Sequence, residues 1–272
     1  MTEVEYRKLT WPDVHEAARE GAIVVVPTAA MEEHGHHLPL DTDVVLGETI
    51  ALRAARASQR RVLVLPPIWI GYETHHMDFP GTIDVDWDLF VRYLLSVTRS
   101  LAHHGFERIV VLNSHGSNRP LIETAARQTV VENPDTMCVA FSWWELQDAQ
   151  KAFDAVRESS VTSHACELET SVYLAVDEAR VRMDLAQKDL DDGMSPHFWS
   201  DLMGRRPDPT FKNSVKHMEI WSAFSRTGVR GDPTKATRRK GEIVLEAATN
   251  ELVELFDEIA RRPIRQGRDH HA

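Results

Sequence analysis

The sequence predicts an α/β fold: a three-layer α/β/α domain with a mostly parallel sheet, spanning residues 1–272. Three observations predict it. Short β-branched runs recur along the chain, segments of helical period lie between them, and the runs are nearly continuously apolar. Apolar runs suit strands buried on both faces, and strand–helix alternation is the pattern of a parallel sheet covered by helices. Ala22-Ile23-Val24-Val25-Val26 reads as the first strand, ended by Pro27. Residues 44–56 place Val45, Ile50 and Leu52 around a helical period, and 61–66 reads as a second strand. Residues 86–103 carry Leu89, Phe90, Tyr93, Leu94, Val97 and Leu101 on one helical face. Ile109–Leu112 is a third strand. Residues 120–132 form a helix with Pro120 suited to its first turn, and 136–142 a fourth strand. Residues 167–176 and 240–260 read as helices. Residues 184–229, rich in Pro, Gly, Asp and aromatics, read as an irregular insertion covering a site, and 263–272 as a polar tail.

Composition narrows the function. The net charge of −11 and a pI near 5.7 argue against nucleic acid or an anionic membrane as partner. The two cysteines, Cys138 and Cys166, imply no disulfide framework and a reducing compartment. The start of the chain has no basic and apolar signal pattern, and no apolar stretch approaches a membrane span, so a cytoplasmic protein is expected. Zincin, nucleophile-elbow, P-loop and dinucleotide motifs are all absent.

Histidine is the compositional outlier, with 14 residues. The densest group lies in Met31-Glu32-Glu33-His34-Gly35-His36-His37-Leu38-Pro39-Leu40-Asp41-Thr42-Asp43, directly after the first strand. Loops at the carboxyl ends of parallel strands are where sites are built. Carboxylates and imidazoles without a thiolate suit Zn, Mn or Fe. Glu32 and His34 flank one residue, which points both to one side of an extended loop. Asp43, at the mouth of the next helix, is positioned to bridge two cations about 3.5–4 Å apart. His37 and Asp41 read as residues that orient the loop. His115, after the third strand, reads as a further ligand. His164 precedes a helix and is suited to act as a base. Glu167 and Glu169 cannot share a helix face, so one of them is free to reach a metal. His75 and His76 read equally as substrate contacts or surface histidines. Trp143 and Trp144 read either as an aromatic wall for a small ligand or as core and interface aromatics.

These residues together resemble the creatininase (creatinine amidohydrolase) family. The resemblance runs through Glu32-x-His34-Gly35-x-His37-Leu38-Pro39 with Asp43, His76 with Phe79-Pro80-Gly81-Thr82, and Asn113-Ser114-His115-Gly116-x-Asn118. It continues through His164-Ala165 with Glu169-Thr170-Ser171, and Gly228-Val229-x-Gly231-Asp232-Pro233. It implies a single α/β domain, a binuclear centre of two divalent metal ions, and a homo-oligomer, commonly a hexamer. It also implies hydrolysis of a C–N bond in a small cyclic or amide substrate. By motif position Glu32, Asp43 and His115 would hold one metal, His34 with Asp43 the other, and His164 would transfer the proton. The family enzyme that hydrolyses creatinine carries a glutamate ligand where this chain has Ser117. The expected substitute is Glu169, with Glu167 as the alternative; Glu169 is thereby both a metal and a catalytic candidate. His76, Ser117, Trp143 and Trp144 are the expected substrate contacts. The departure at Ser117 turns the expectation away from creatinine and toward other branches, which include formamide deformylases, a peptide-trimming maturase and a hydrolase of a ring-oxidised inositol. The competing expectations are hydrolytic C–C cleavage of a cyclic keto-polyol at the same site, and a non-catalytic metal-binding member of the family.

Overall fold

Alternate residues of a strand point to opposite faces of a sheet, and here that alternation decides where the helices lie. The computed structural model describes residues 3–190, 193–212, 215 and 217–271. Strands β1 (Ile23–Thr28), β2 (Val62–Val64), β3 (Arg108–Asn113) and β4 (Met137–Ser142) form a parallel sheet in the order β2-β1-β3-β4. Ile23, Val25, Val62, Val64, Val110 and Leu112 face one core; Val24, Val26, Leu63, Ile109 and Val111 face the other. The first core is closed by α2 (Thr42–Ala57), α5 (Gln147–Asp154), α6 (Glu167–Asp177) and α7 (Arg238–Arg261). Ile50, Phe153, Val172, Leu252 and Phe256 are fully buried in it. The second is closed by α1 (Trp11–Arg19), α3 (Trp87–His103) and α4 (Arg119–Glu132), through Ala17, Phe90, Leu94, Ile122 and Ala125. Each large side chain buried in this way contributes about 1.5–3 kcal/mol. The result is the three-layer α/β fold that the apolar runs predict.

Two details differ from the sequence expectation. Pro27 does not end the first strand: β1 continues to Thr28, and the Pro27 carbonyl accepts the Ile68 N–H at 2.9 Å. Proline lacks only the donor, so it can sit in a strand whose acceptor is still used. A second, separate ribbon pairs β5 (Thr162–His164) antiparallel with β6 (Arg230–Gly231). Between α6 and β6 the described residues form short 3-10 turns, at Glu178–Arg180, Met183–Leu185 and Trp221–Ala223, and an antiparallel bridge from Asp189 to Gly231. The predicted cover over 184–229 includes 191, 192, 213, 214 and 216, and the predicted tail includes 272; those positions lie outside the described residues. Among the described residues no helix is long and apolar enough to cross a membrane.

Helices α6 and α7 approach unusually closely. A β-carbon added at Gly241 would stand 1.8 Å from the Ser171 carbonyl oxygen, so only glycine admits the contact.

Candidate metal centre

All four strands of the main sheet run the same way, so the loops leaving β1, β2 and β3 open on one edge. The loop after β1 brings Glu32, His34 and Asp43 there, each at most 2 % exposed. His37 and Asp41 tie this loop to α6, through His37 Nε2 to Thr170 Oγ1 at 2.9 Å and the Tyr173 hydroxyl donating to Asp41 at 3.0 Å. His36 is exposed and takes no part. Glu32 O lies 3.3 Å from His34 Nδ1, which places the ring N–H on that side and leaves a lone pair on Nε2. That Nε2 lies 3.3 Å from Asp43 Oδ1 and forms no hydrogen bond.

His115 arrives from the end of β3. The Asn113 side chain shapes the turn: its amide donates to His115 O at 2.6 Å, and its oxygen accepts the His115 N–H at 3.2 Å. Ser114 donates to Asp43 O at 2.7 Å and so latches the start of α2 to the sheet edge. His115 Nδ1 lies 2.8 Å from Glu32 Oε1 and 3.0 Å from Asp43 Oδ2. The two oxygens of Asp43 thus face two different imidazoles, His34 and His115.

His164 ends β5, and Ala165 after it adopts φ 48°, the one positive φ outside glycine among the described residues. This sharp turn starts α6 and brings Glu169 back toward His164 and His34. His164 Nε2 lies 2.7 Å from the Glu33 carbonyl, so it donates there and turns Nδ1 to the site, 3.9 Å from Glu32 Oε1. Glu167, two residues before Glu169 on α6, points elsewhere. Its carboxylate accepts N–H bonds from Glu158 and Ser159 and pairs with Lys240 Nζ at 2.6 Å. Of the two glutamates left open by the sequence, Glu169 is the one at the centre. Glu167→Gln is therefore expected to destabilise the protein by about 1–3 kcal/mol, since it removes one of the two carboxylates on Lys240 and leaves Glu158 as its remaining ion pair, while leaving bound metal unchanged. Glu169→Gln should do the reverse. Thermal melts beside elemental metal analysis of the two variants separate these outcomes.

Three side chains at the centre were not anticipated. Glu73, fully buried, touches His115 Nε2 through Oε2. Glu33 Oε1 lies 3.2 Å from both His76 Nδ1 and His164 Nε2. Gly228 makes room for that carboxylate: its φ is +86°, and a β-carbon there would fall 1.7 Å from Glu33 Oε2. Trp221 stacks on His76 with ring centroids 4.4 Å apart and meets His164 edge-on at 5.3 Å. In the sequence, the signal for Glu73 was only its place in a polar run three residues before His76. Trp221 lies in an irregular segment with no period to read.

The aromatic wall expected from Trp143 and Trp144 is corrected accordingly. A 3-10 turn at Trp143–Glu145 rolls both rings inward, where they are buried in the core with Phe153, Leu168 and Tyr173. Trp221 is the aromatic ring on the site. Ser117 is half-buried with Oγ 3.2 Å from His75 Nε2, and His76 lies inside the centre.

The donor set fits divalent metal. Three overlapping groups, Glu32/Asp43/His115, His34/His164/Glu169 and Glu32/His76/His164, hold their ligand atoms within 4.8 Å of one another. Glu32 Oε2, His34 Nε2 and His76 Nδ1 are buried without a hydrogen bond, an unfavourable state that a bound cation relieves. Burial, and next the Glu73 carboxylate, push Glu32 up to about 8. Burial works against the charged form of His164, yet the Glu32 and Glu33 carboxylates hold it well above the usual imidazole range. Burial likewise opposes ionisation of Asp43, but the facing imidazoles of His115 and His34 hold it well below the usual carboxylate range. Buried carboxylates crowded enough to raise Glu32 and Glu169 mark a position built for positive charge.

A parallel α/β fold carrying a buried carboxylate–imidazole centre on the carboxyl edge of its sheet defines a class: hydrolases that use divalent metal. Comparison with known proteins gives the particular family. The creatininase family model, described as creatinine amidohydrolase, matches residues 7–256, and the chain belongs to the creatininase family. It is an enzyme, an amidohydrolase by family. It is 26% identical over 267 residues to the 3-dehydro-scyllo-inosose hydrolase of Thermotoga maritima, covering 96% of this chain and 85% of that one. It is 30% identical over 232 residues to the mycofactocin precursor peptide peptidase of Mycolicibacterium smegmatis, covering 84% and 81%. The fold superposes on a manganese creatininase with a TM-score of 0.79 at 23% identity, over 96% of this chain and 100% of that one.

Proposed function

We propose that the protein hydrolyses a C–N bond of a small amide or cyclic amide at a centre of two divalent metals. The observation that carries this reading is Asp43, whose Oδ1 lies 3.3 Å from His34 Nε2 while Oδ2 lies 3.0 Å from His115 Nδ1. One carboxylate facing two separate imidazoles is the arrangement of a bridging ligand. Glu32 and His115 would hold one metal with Asp43, and His34 and Glu169 the other. When bound, such cations lower the pKa of water toward 7 and polarise a carbonyl.

The remaining steps belong to side chains. His164, anchored by its Nε2–H on the Glu33 carbonyl, presents Nδ1 to the site and can pass a proton from there to the leaving nitrogen. Trp221 and His76 form a flat, stacked wall that excludes water and suits a planar group. The Trp221 indole N–H donates to Gly228 O at 2.8 Å, which fixes the ring's attitude.

A second reading is favoured by the 267-residue likeness to the inosose hydrolase: the same site would cleave a C–C bond of a cyclic keto-polyol, leaving a carboxylate and an enol. Metal analysis followed by a panel of lactams, formamides and cyclic ketoses decides between them. Ammonia or amine release supports the first reading, and acid production from a keto-inositol supports the second. Full turnover in chelator-treated, metal-free enzyme would sink both. We propose further that the chain is a cytoplasmic homo-oligomer, a hexamer by family. Exposed Trp69, Trp87, Leu89 and Tyr93 lie around the outer side of α3, an apolar surface suited to self-association. Sedimentation at the chain mass of 30.9 kDa would refute the assembly.

A further inference from the structure

We propose a third divalent-cation position, formed by Glu73, His75 and His76, at the outer side of the centre. It rests on the two-metal reading, with which it shares the buried setting. Glu73, His75 and His76 each offer a ligand atom within 4.8 Å of the others. Glu73 Oε1 lies 3.4 Å from His76 Nε2 and 3.7 Å from His75 Nε2. A tetrahedral cation bound at about 2.0–2.2 Å spaces its ligands by roughly 3.3–3.5 Å, close to both separations.

An orphaned acceptor points the same way. Glu73 Oε1 is buried without a hydrogen bond, a costly state for a carboxylate oxygen. A cation between Glu73 Oε1 and His76 Nε2 would satisfy it. Glu73 Oε2 is already engaged by His115, so the side chain's orientation is fixed before any ion arrives.

The setting suits a cation as well: Glu32, Glu33, Asp43, Glu73 and Glu169 are all buried together. With nitrogen and carboxylate ligands, Zn2+ or Mn2+ suits the position. Ser117 Oγ, 3.2 Å from His75 Nε2, stands beside it, and the edge of Trp221 lies above His75 at a centroid separation of 6.3 Å.

The test is equilibrium dialysis of the full-length chain against Zn2+, with bound metal counted per chain by mass spectrometry. Three equivalents are expected in the wild type and two in His75→Ala, whose side chain belongs to neither inner group. Glu73→Gln should also lose the third equivalent. Asp43→Ala should lose the inner pair and keep the outer ion. Two equivalents in both wild type and His75→Ala would overturn the outer position and leave the two-metal reading standing. Three in both would overturn it too, since the third ion would then lie elsewhere. A single wild-type equivalent would overturn both readings.

Discussion

Asp43→Ala is expected to abolish turnover and to strip the inner metals in one step, whatever the substrate proves to be. Its two oxygens face His34 and His115 separately, so no other residue of the centre substitutes for it. Loss of a residue that merely orients a metal ligand typically costs about 10–100-fold in affinity. Loss of a shared ligand should exceed that at both positions. The metal-free variant should also melt below the metal-free wild type. Asp43 is held ionised by His115 and His34, and its loss leaves those buried imidazoles with one partner fewer. Calorimetry of both metal-free proteins beside metal counts would decide. A variant that melts far lower but keeps its metal would make Asp43 a structural residue.

Gly241→Ala should have the largest effect on stability without touching the chemistry. The added methyl would meet the Ser171 carbonyl oxygen at 1.8 Å and the Val172 nitrogen at 2.9 Å, all backbone, so no side chain can swing aside. Overpacking against backbone costs about 3 kcal/mol, which at 2–4 °C per kcal/mol corresponds to a drop of roughly 6–12 °C in Tm. Metal binding at temperatures below the melt should be retained, since Ser171 lies past the residues that face the centre. An unchanged Tm would show that α6 and α7 do not cross as closely as described.

How far the sequence revealed the molecule depended on what kind of signal each part carries. The strands of the main sheet were legible because both of their faces are buried, which writes an unbroken apolar run. Helix α1 was not, because Ala17 is its one buried residue and leaves almost no period to detect. The β5–β6 ribbon was equally silent: Thr-Ser-His against Arg-Gly holds no alternation. At the centre, Glu32, His34, Asp43, His115, His164 and Glu169 were legible as polar groups breaking out directly after a strand or at a helix start. Glu73 and Trp221 were not. Each is placed by contacts with residues far away in sequence, Glu73 by His115 and Trp221 by His76. Trp143 and Trp144 misled for the converse reason: their position after a strand suits a binding wall, but the turn that follows rolls them into the core.

The antiparallel ribbon has a consequence for how this enzyme could acquire a different substrate. The carboxylates and imidazoles of the centre hang mainly from the parallel sheet and from α6, whereas the Trp221 segment hangs from β6. It is knotted there by Asp189, whose carboxylate accepts from Ser225, Arg226 and Thr227. Asp189 also exchanges backbone bonds with Gly231, at 3.2 and 2.8 Å. The two ends of the stretch between Asp189 and Gly231 are therefore pinned side by side. Transplanting that stretch from one relative to another at those two residues, with Gly228 kept for Glu33 and Arg230 kept beside His164, would exchange the Trp221 side of the site while the sheet-borne groups stay in place. The fold thus separates inheritance of chemistry from inheritance of taste, with a seam two residues wide.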